Sequence, residues 1–193
     1  MSNKSSSFFN MVTTLAVITF GASTSLAFVY MLTKEPIEKA LTAKKMAAIE
    51  EVVPAFNNLP SEEEIKIPFE GDTLRFYPAK MDEEVVGYAI ETYTNKGFSG
   101  NIKLMVGLLP DGSIYDIAVI KHSETPGLGD KMDKSKSDFS LQFIGENPGE
   151  FNVMVTKDGG DVDAITASTI SSRAFCDAVQ RAFNGFVSQG LNK

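Results

Sequence analysis

One cysteine, one histidine and no tryptophan in 193 residues leave this chain without the side chains that several kinds of chemistry require. A lone Cys176 excludes an internal disulfide, and it excludes any iron–sulfur or zinc site built from several thiolates of this chain. A lone His122 excludes a bis-histidine haem. No G-x-G-x-x-G run follows a strand pattern, so a nicotinamide site of the Rossmann type is not indicated. Charge is missing too: no acidic residue precedes Glu35, and Ser5 to Thr33 carries no charged residue at all. Of the 18 Lys and Arg only Lys4 precedes residue 34, so residues 34–193 hold 17 basic against 25 acidic side chains, a net charge of −8. That balance argues against nucleic acid or an anionic lipid surface as the main partner.

The uncharged stretch is apolar as well. Met11 to Leu32 is dominated by apolar side chains, and twenty-two residues at ~1.5 Å rise span ~33 Å, enough for a hydrocarbon core of ~30 Å. The rival reading is a cleaved signal peptide, with Lys4 as its positive end and Ser25-Leu26-Ala27 as a small-x-small site. The run continues past that site through Phe28, Val29, Tyr30, Met31 and Leu32, which favours a retained membrane helix. Lys34, Lys39, Lys44 and Lys45 follow the run; counted by the positive-inside rule alone, they place the large domain in the cytoplasm.

Beyond the anchor, Pro36 and Pro54 frame EPIEKALTAKKMAAIEEVV as a helix, its mixed charge suiting a stalk or a lid. Asn57 to Ile67 reads as a polar, acidic linker. Thr73 to Tyr77 and Val85 to Tyr93 are rich in β-branched and aromatic residues and read as strands. Asn101 to Leu109 and Ser113 to Ile120 follow, joined by the turn residues Pro110-Asp111-Gly112. In the first of this pair Ile102, Leu104, Val106 and Leu108 share one face. A mainly antiparallel sheet of four to six strands is expected.

Asp133 to Phe143 is expected as a short helix turning Phe139, Leu141 and Phe143 inward. Val153 to Val155 and Val162 to Ile165 are expected as a returning strand, broken by the turn at Lys157-Asp158-Gly159-Gly160. From Ile170 the period becomes helical: Ile170, Ala174, Ala178, Ala182 and Phe186 form one row, with Phe175, Val179 and Phe183 beside it and Arg173, Asp177 and Arg181 opposite.

The final helix begins in a crowd of hydroxyls. DAITASTISSRAF, Asp163 to Phe175, places Thr166, Ser168, Thr169, Ser171 and Ser172 within seven positions. One of them suffices as an N-cap. A helix start also presents about four unpaired N–H groups and the positive end of the dipole, which favours a phosphate. Upstream, HSETPGLGDKM, His122 to Met132, combines glycines, a proline and a threonine into a tight loop whose backbone can approach a ligand. His122 suits a hydrogen-bonded strand end, since no second histidine chelates with it, and Cys176 suits a small packed hydrophobe.

Asp163-Ala164-Ile165-Thr166-Ala167-Ser168-Thr169 resembles the flavinylation motif D-x-x-(S/T)-G-A-(S/T) of FMN-binding domains, and Glu124-Thr125-Pro126-Gly127-Leu128-Gly129 resembles the E-T-P-G-L-G loop of the same families. Order, spacing and the preceding membrane helix resemble the G subunit of Rnf electron-transport complexes. The C subunit of the sodium-translocating NADH:quinone reductase is a relative that is usually longer. The resemblance implies an α+β protein: an N-terminal tail and transmembrane helix (1–33), a helical stalk or linker (34–60), and one FMN-binding domain (61–193) with its sheet flanked by helices. It implies FMN esterified through its phosphate to Thr169 by a separate flavin transferase, with Asp163 serving recognition or metal-assisted transfer and Thr166 and Ser168 counted with it among the cofactor-binding residues. It also implies Glu124, Thr125, Leu128 and Gly129 around the ring.

The implied role is a membrane-anchored electron relay among other membrane subunits of an ion-translocating complex, in the inner membrane with the flavin domain outside the cytoplasm. One departure stands out. Ala167-Ser168 replaces the common Gly-Ala, so Ser168 offers a second hydroxyl beside Thr169. Two alternatives remain: the equivalent flavin subunit of the sodium-translocating NADH:quinone reductase, and a membrane-anchored scaffold or sensor without cofactor.

Overall fold

The computed structural model describes residues 8–191 in two compact units, divided between Ala43 and Lys44. The first unit is helical. Helix α1 runs Phe8–Val52, and its apolar part is long enough to cross a membrane, with a mean hydropathy of 1.8 over its best window and none of that window buried in the protein. Six of the hydroxyls along it turn back onto the helix. Thr13, Thr14, Thr19, Thr24, Ser25 and Thr33 each donate to the carbonyl four residues earlier, at 2.8 to 2.9 Å. In hydrocarbon such internal satisfaction is what makes a polar group tolerable. Pro36 lies inside this helix rather than opening a new one; lacking an N–H, it cannot donate to the carbonyl of Leu32.

The second unit is a five-stranded antiparallel meander in the order β1-β2-β3-β4-β5, formed by Ile65–Phe69, Asp72–Met81, Glu84–Gly97, Gly100–Leu108 and Ile114–Lys121. The four expected strands are β2 to β5. β1 falls in the stretch read as linker: it is only five residues long, contains Pro68, and pairs with β2 alone. A proline cannot donate to a ladder, so an edge is where such a strand belongs.

Both faces of the sheet are covered. On one, Ile102, Leu104, Val106 and Leu108 meet Ala174, Phe175, Ala178, Val179, Ala182 and Phe186 of helix α2, Thr169–Ser188. Its arginine-bearing face stays outward, Arg173 gripping Asp158 through two N–H groups at 2.6 and 2.7 Å. On the other face Met105, Tyr77, Ala79 and Ala89 pack against Ala48, Ile49, Val52 and Val53, the last turns of α1 and the residue after it. The segment read as a stalk or lid therefore covers one side of the sheet with its C-terminal end.

Three further places differ from their sequence expectation. Asp133 to Phe143 holds no α-helix but ends in a short 3₁₀ turn, Phe139–Phe143, after a first one at Gly129–Met132. Phe139 and Phe143 are buried while Leu141 is exposed, because a turn of this length buries only one side. Val153 to Ile165 contributes a single parallel bridge, Val155 to Val162, instead of a strand. Ile170 is 48 % exposed although it starts the apolar row of α2; it sits in the first turn of the helix.

Cys176 is buried in α2. Burial pushes its thiol up to about 12, so almost no thiolate is present at neutral pH. Alkylation of the native protein by iodoacetamide near neutral pH is expected to be negligible over hours and complete once denaturant is added, a contrast that intact-mass measurement reads directly.

Candidate flavin-binding site

Two segments distant in sequence close one pocket. The first is the loop after β5. Leu128 N–H donates to the Thr125 carbonyl at 3.1 Å, and Gly127 between them has φ +78°. Pro126 before a glycine of positive φ is the composition of a type II turn. The turn is pinned from behind by Asp130, buried, whose Oδ2 accepts from Lys136 Nζ at 2.6 Å. That ammonium holds the Asp130 carboxyl below its ordinary range, against the effect of burial. His122 closes the strand end as expected, its Nδ1 accepting the Glu124 N–H at 3.1 Å.

The second segment is the entry into α2. Ser168 N–H donates to the Ile165 carbonyl at 3.0 Å, and Ala167 has φ +60°. This is again a type II pattern, but with alanine where glycine is favoured. Ser168 occupies the N-cap position without capping: its hydroxyl donates to Ser171 Oγ at 2.9 Å and accepts from no amide of the helix. Ser172 ties the turn together, its Oγ accepting from Ile165 N–H at 2.9 Å and donating to the Ser168 carbonyl at 3.0 Å. The first intrahelical bond runs from Ser172 N–H to Ser168 O, which leaves the Thr169, Ile170 and Ser171 N–H groups as the free amides of the helix start,.

The left-handed conformation of Ala167 has a measurable consequence. A non-glycine residue there costs roughly 1–2 kcal/mol, whereas a glycine costs about 0.4–1 kcal/mol through the unfolded chain. Ala167→Gly is expected to stabilise the domain by about 0.5–1 kcal/mol, raising Tm by roughly 1–4 °C at this size. A thermal melt beside the parent checks it, and an unchanged or lower Tm would contradict the strain.

Between these segments lies a pocket of about 350 Å³, lined by Glu124, Thr125, Leu128 and Gly129 from the loop, Ala167 to Ser171 from the helix entry, and Phe98 from the β3–β4 turn. Its volume is near the lower end of the ~300–1,000 Å³ usual for ligand sites. Phe98, Leu128 and Ile170 are 68 %, 41 % and 48 % exposed, an apolar rim around a polar floor, which suits a flat aromatic ligand with one ionic end. Thr169 is half-buried at this rim and its hydroxyl has no hydrogen-bond partner among the described residues.

Of the eight residues the sequence singled out, Glu124, Thr125, Leu128, Gly129, Ser168 and Thr169 converge here, while Asp163 and Thr166 lie outside the pocket lining. Both are exposed. Asp163 is held through its backbone, N–H to Gln142 Oε1 at 2.8 Å and carbonyl to Gln142 Nε2 at 3.2 Å, so its carboxylate is left to solvent. Phe98 was not singled out in sequence, and Ile170 was read as part of the buried row of α2 and not as a site residue. Phe98 carried a usable signal, an aromatic between two glycines in a hairpin turn, where no core exists to bury it.

These features define a flavin-binding domain, and a family model described as FMN-binding domain matches residues 97–184, from the end of β3 through most of α2. Over nearly the whole chain the similarity is to proteins named as the G subunit of an ion-translocating oxidoreductase complex. The Haemophilus influenzae (strain PittEE) protein is 37 % identical over 164 residues, covering 81 % of this chain and 79 % of the relative. That of Erwinia tasmaniensis is 37 % identical over 177 residues, 87 % and 84 % of the two chains. That of Escherichia coli (strain K12) is 34 % identical over 186 residues, 92 % and 89 %. The chain belongs to the G-subunit family of ion-translocating oxidoreductase complexes.

Proposed function

We propose that this chain carries FMN as a phosphoester of Thr169 and relays electrons within a membrane complex. The observation that carries this reading is the convergence of two separate motifs on one pocket, with an unpartnered threonine hydroxyl at its rim and a helix N-terminus behind it. A phosphate on Thr169 Oγ1 lies beside the free Thr169, Ile170 and Ser171 amides, where the helix dipole favours negative charge. Phe98, Leu128 and Ile170 supply apolar cover for a ring. FMN, when bound, supplies the reversible electron uptake that no side chain of this sequence provides.

Attachment is phosphoryl transfer. The Thr169 Oγ1–P bond forms as the P–O bond of a phosphoric anhydride breaks, so the donor is a flavin dinucleotide, the leaving group its nucleoside monophosphate, and the hydroxyl proton passes to a base of the flavin transferase or to solvent. Asp163 and Thr166, exposed and outside the pocket lining, are assigned to recognition by that enzyme.

Residues 1–33 anchor the chain in the inner membrane. Residues 34–60 connect and cover the sheet, and residues 61–193 hold the flavin on the extracytoplasmic side. Other membrane subunits supply the electron donor and acceptor, as the name shared by the relatives suggests. Fluorescence of the polypeptide band after denaturing electrophoresis is expected; a colourless, non-fluorescent band from protein co-expressed with a flavin transferase would contradict covalent attachment.

A further inference from the structure

Ser168 and Thr169 are adjacent hydroxyls at the same pocket, and their surroundings differ. Ser168 is 8 % exposed, and its Oγ donates to Ser171 Oγ at 2.9 Å. Ser171, at 1 % exposed, donates in turn to Glu124 Oε2. Glu124 is itself 4 % exposed, and its other oxygen, Oε1, accepts the Ser99 N–H at 2.8 Å. The direction of this chain follows from chemistry. A carboxylate only accepts, so Ser171 must give its proton to Glu124, and the Ser171 oxygen is left to receive the proton of Ser168. Chains that end on an ion are shorter and stronger than neutral ones.

The space for this arrangement is built in. A Cβ on Gly129 would lie 2.8 Å from both Glu124 Cβ and Oε2 and 2.5 Å from Ser171 Oγ, and a Cβ on Gly97 would lie 2.8 Å from Glu124 Oε1. Glycine at both positions lets the carboxylate reach the β3–β4 turn and the start of α2 together. The result is that Ser168 Oγ faces inward while Thr169 Oγ1 remains without a partner.

We propose that Glu124 and Ser171 are positioning residues that select the flavin acceptor, turning the Ser168 hydroxyl into the protein so that Thr169 alone is presented to the transferase. The inference rests on the reading that Thr169 takes a phosphoester. To attack phosphorus, Ser168 would have to leave its hydrogen bond and rotate outward. Breaking a hydrogen bond in a chain that ends on a charge disfavours that state by about tenfold or more.

Two variants release Ser168 differently. Ser171→Ala deletes its acceptor. Glu124→Gln keeps the shape but removes the charge: with Oε1 on the Ser99 N–H, the amide nitrogen donates to Ser171, and the hydrogen bond between Ser168 and Ser171 falls to the strength of a neutral pair. Parent, Ser171→Ala and Glu124→Gln, each co-expressed with a flavin transferase, are digested, and the flavin-bearing residue is located by fragmentation mass spectrometry. Circular dichroism melts establish which variants are folded. The parent is expected to carry flavin on Thr169 only. Ser171→Ala is expected to raise the share on Ser168 by about tenfold or more and Glu124→Gln by about threefold to tenfold, and Thr169→Val combined with Ser171→Ala is expected to recover covalent flavin on Ser168.

Should Ser171→Ala not fold, Glu124→Gln decides alone. Flavin confined to Thr169 in the folded variants overturns the selection while leaving the function intact. Folded variants devoid of covalent flavin overturn it as well, since the residues would then serve attachment itself. A parent without covalent flavin refutes the underlying function instead.

Discussion

Thr169→Val will abolish the flavin fluorescence that otherwise stays with the polypeptide through denaturation. Valine matches threonine in shape and β-branching, so the substitution removes the Oγ1 atom and little else. The side chain is half-buried in the first turn of α2 and its hydroxyl bonds nothing among the described residues, so stability is expected to change by no more than about 0.5 kcal/mol, as for a site without a named structural role. The neighbouring hydroxyl does not substitute, because Ser168 is buried and engaged with Ser171. Ser168→Ala is therefore the informative partner and is expected to retain the fluorescent band. Full fluorescence in Thr169→Val with loss in Ser168→Ala would place the ester on Ser168.

Phe175→Ala will cost far more stability than either of those changes. Phe175 is fully buried in α2, with ring centroids 5.2 Å from both Phe139 and Phe143. It is the contact that holds the second 3₁₀ turn, and with it the long irregular connection between β5 and α2, against the helix that bears Thr169. Truncating a buried phenylalanine costs about 3–5 kcal/mol through lost transfer energy and a residual cavity, which lowers Tm by roughly 6–20 °C in a domain of this size. Thermal unfolding followed by circular dichroism measures it. A fall of only a degree or two would mean that this aromatic cluster repacks freely.

The sheet and the final helix were legible because their patterns are local. Ile102, Leu104, Val106 and Leu108 alternate, Pro110-Asp111-Gly112 reverses the chain, and Ala174, Ala178, Ala182 and Phe186 recur at helical spacing; each apolar row is buried as expected. What stayed hidden depends on partners distant in sequence. β1 exists because β2 offers it an edge, and nothing within Ile65–Phe69 outweighs Pro68 and the acidic run before it. Pro36 reads as a boundary on intrinsic grounds, yet the helix continues through it. Asp133 to Phe143 has helical spacing of aromatics, but Phe139 and Phe143 need only one turn to reach Phe175.

The site divides the same way. Thr169 and the loop from Glu124 to Gly129 stand out as motifs. That Glu124 lies beneath the pocket, joined to Ser99 and Ser171, is a matter of three-dimensional convergence. The Ala167-Ser168 pair shows both sides: the sequence reveals a departure from Gly-Ala, and only the backbone shows that Ala167 occupies a left-handed position.

The most direct test of the account is peptide mapping of the parent protein purified from cells containing a flavin transferase. Fragmentation of the peptide spanning Asp163 to Arg173 is expected to place the whole mass of an FMN phosphoester on Thr169, with Thr166, Ser168, Ser171 and Ser172 unmodified. An unmodified Thr169, or the flavin on any other hydroxyl of that run, would contradict it.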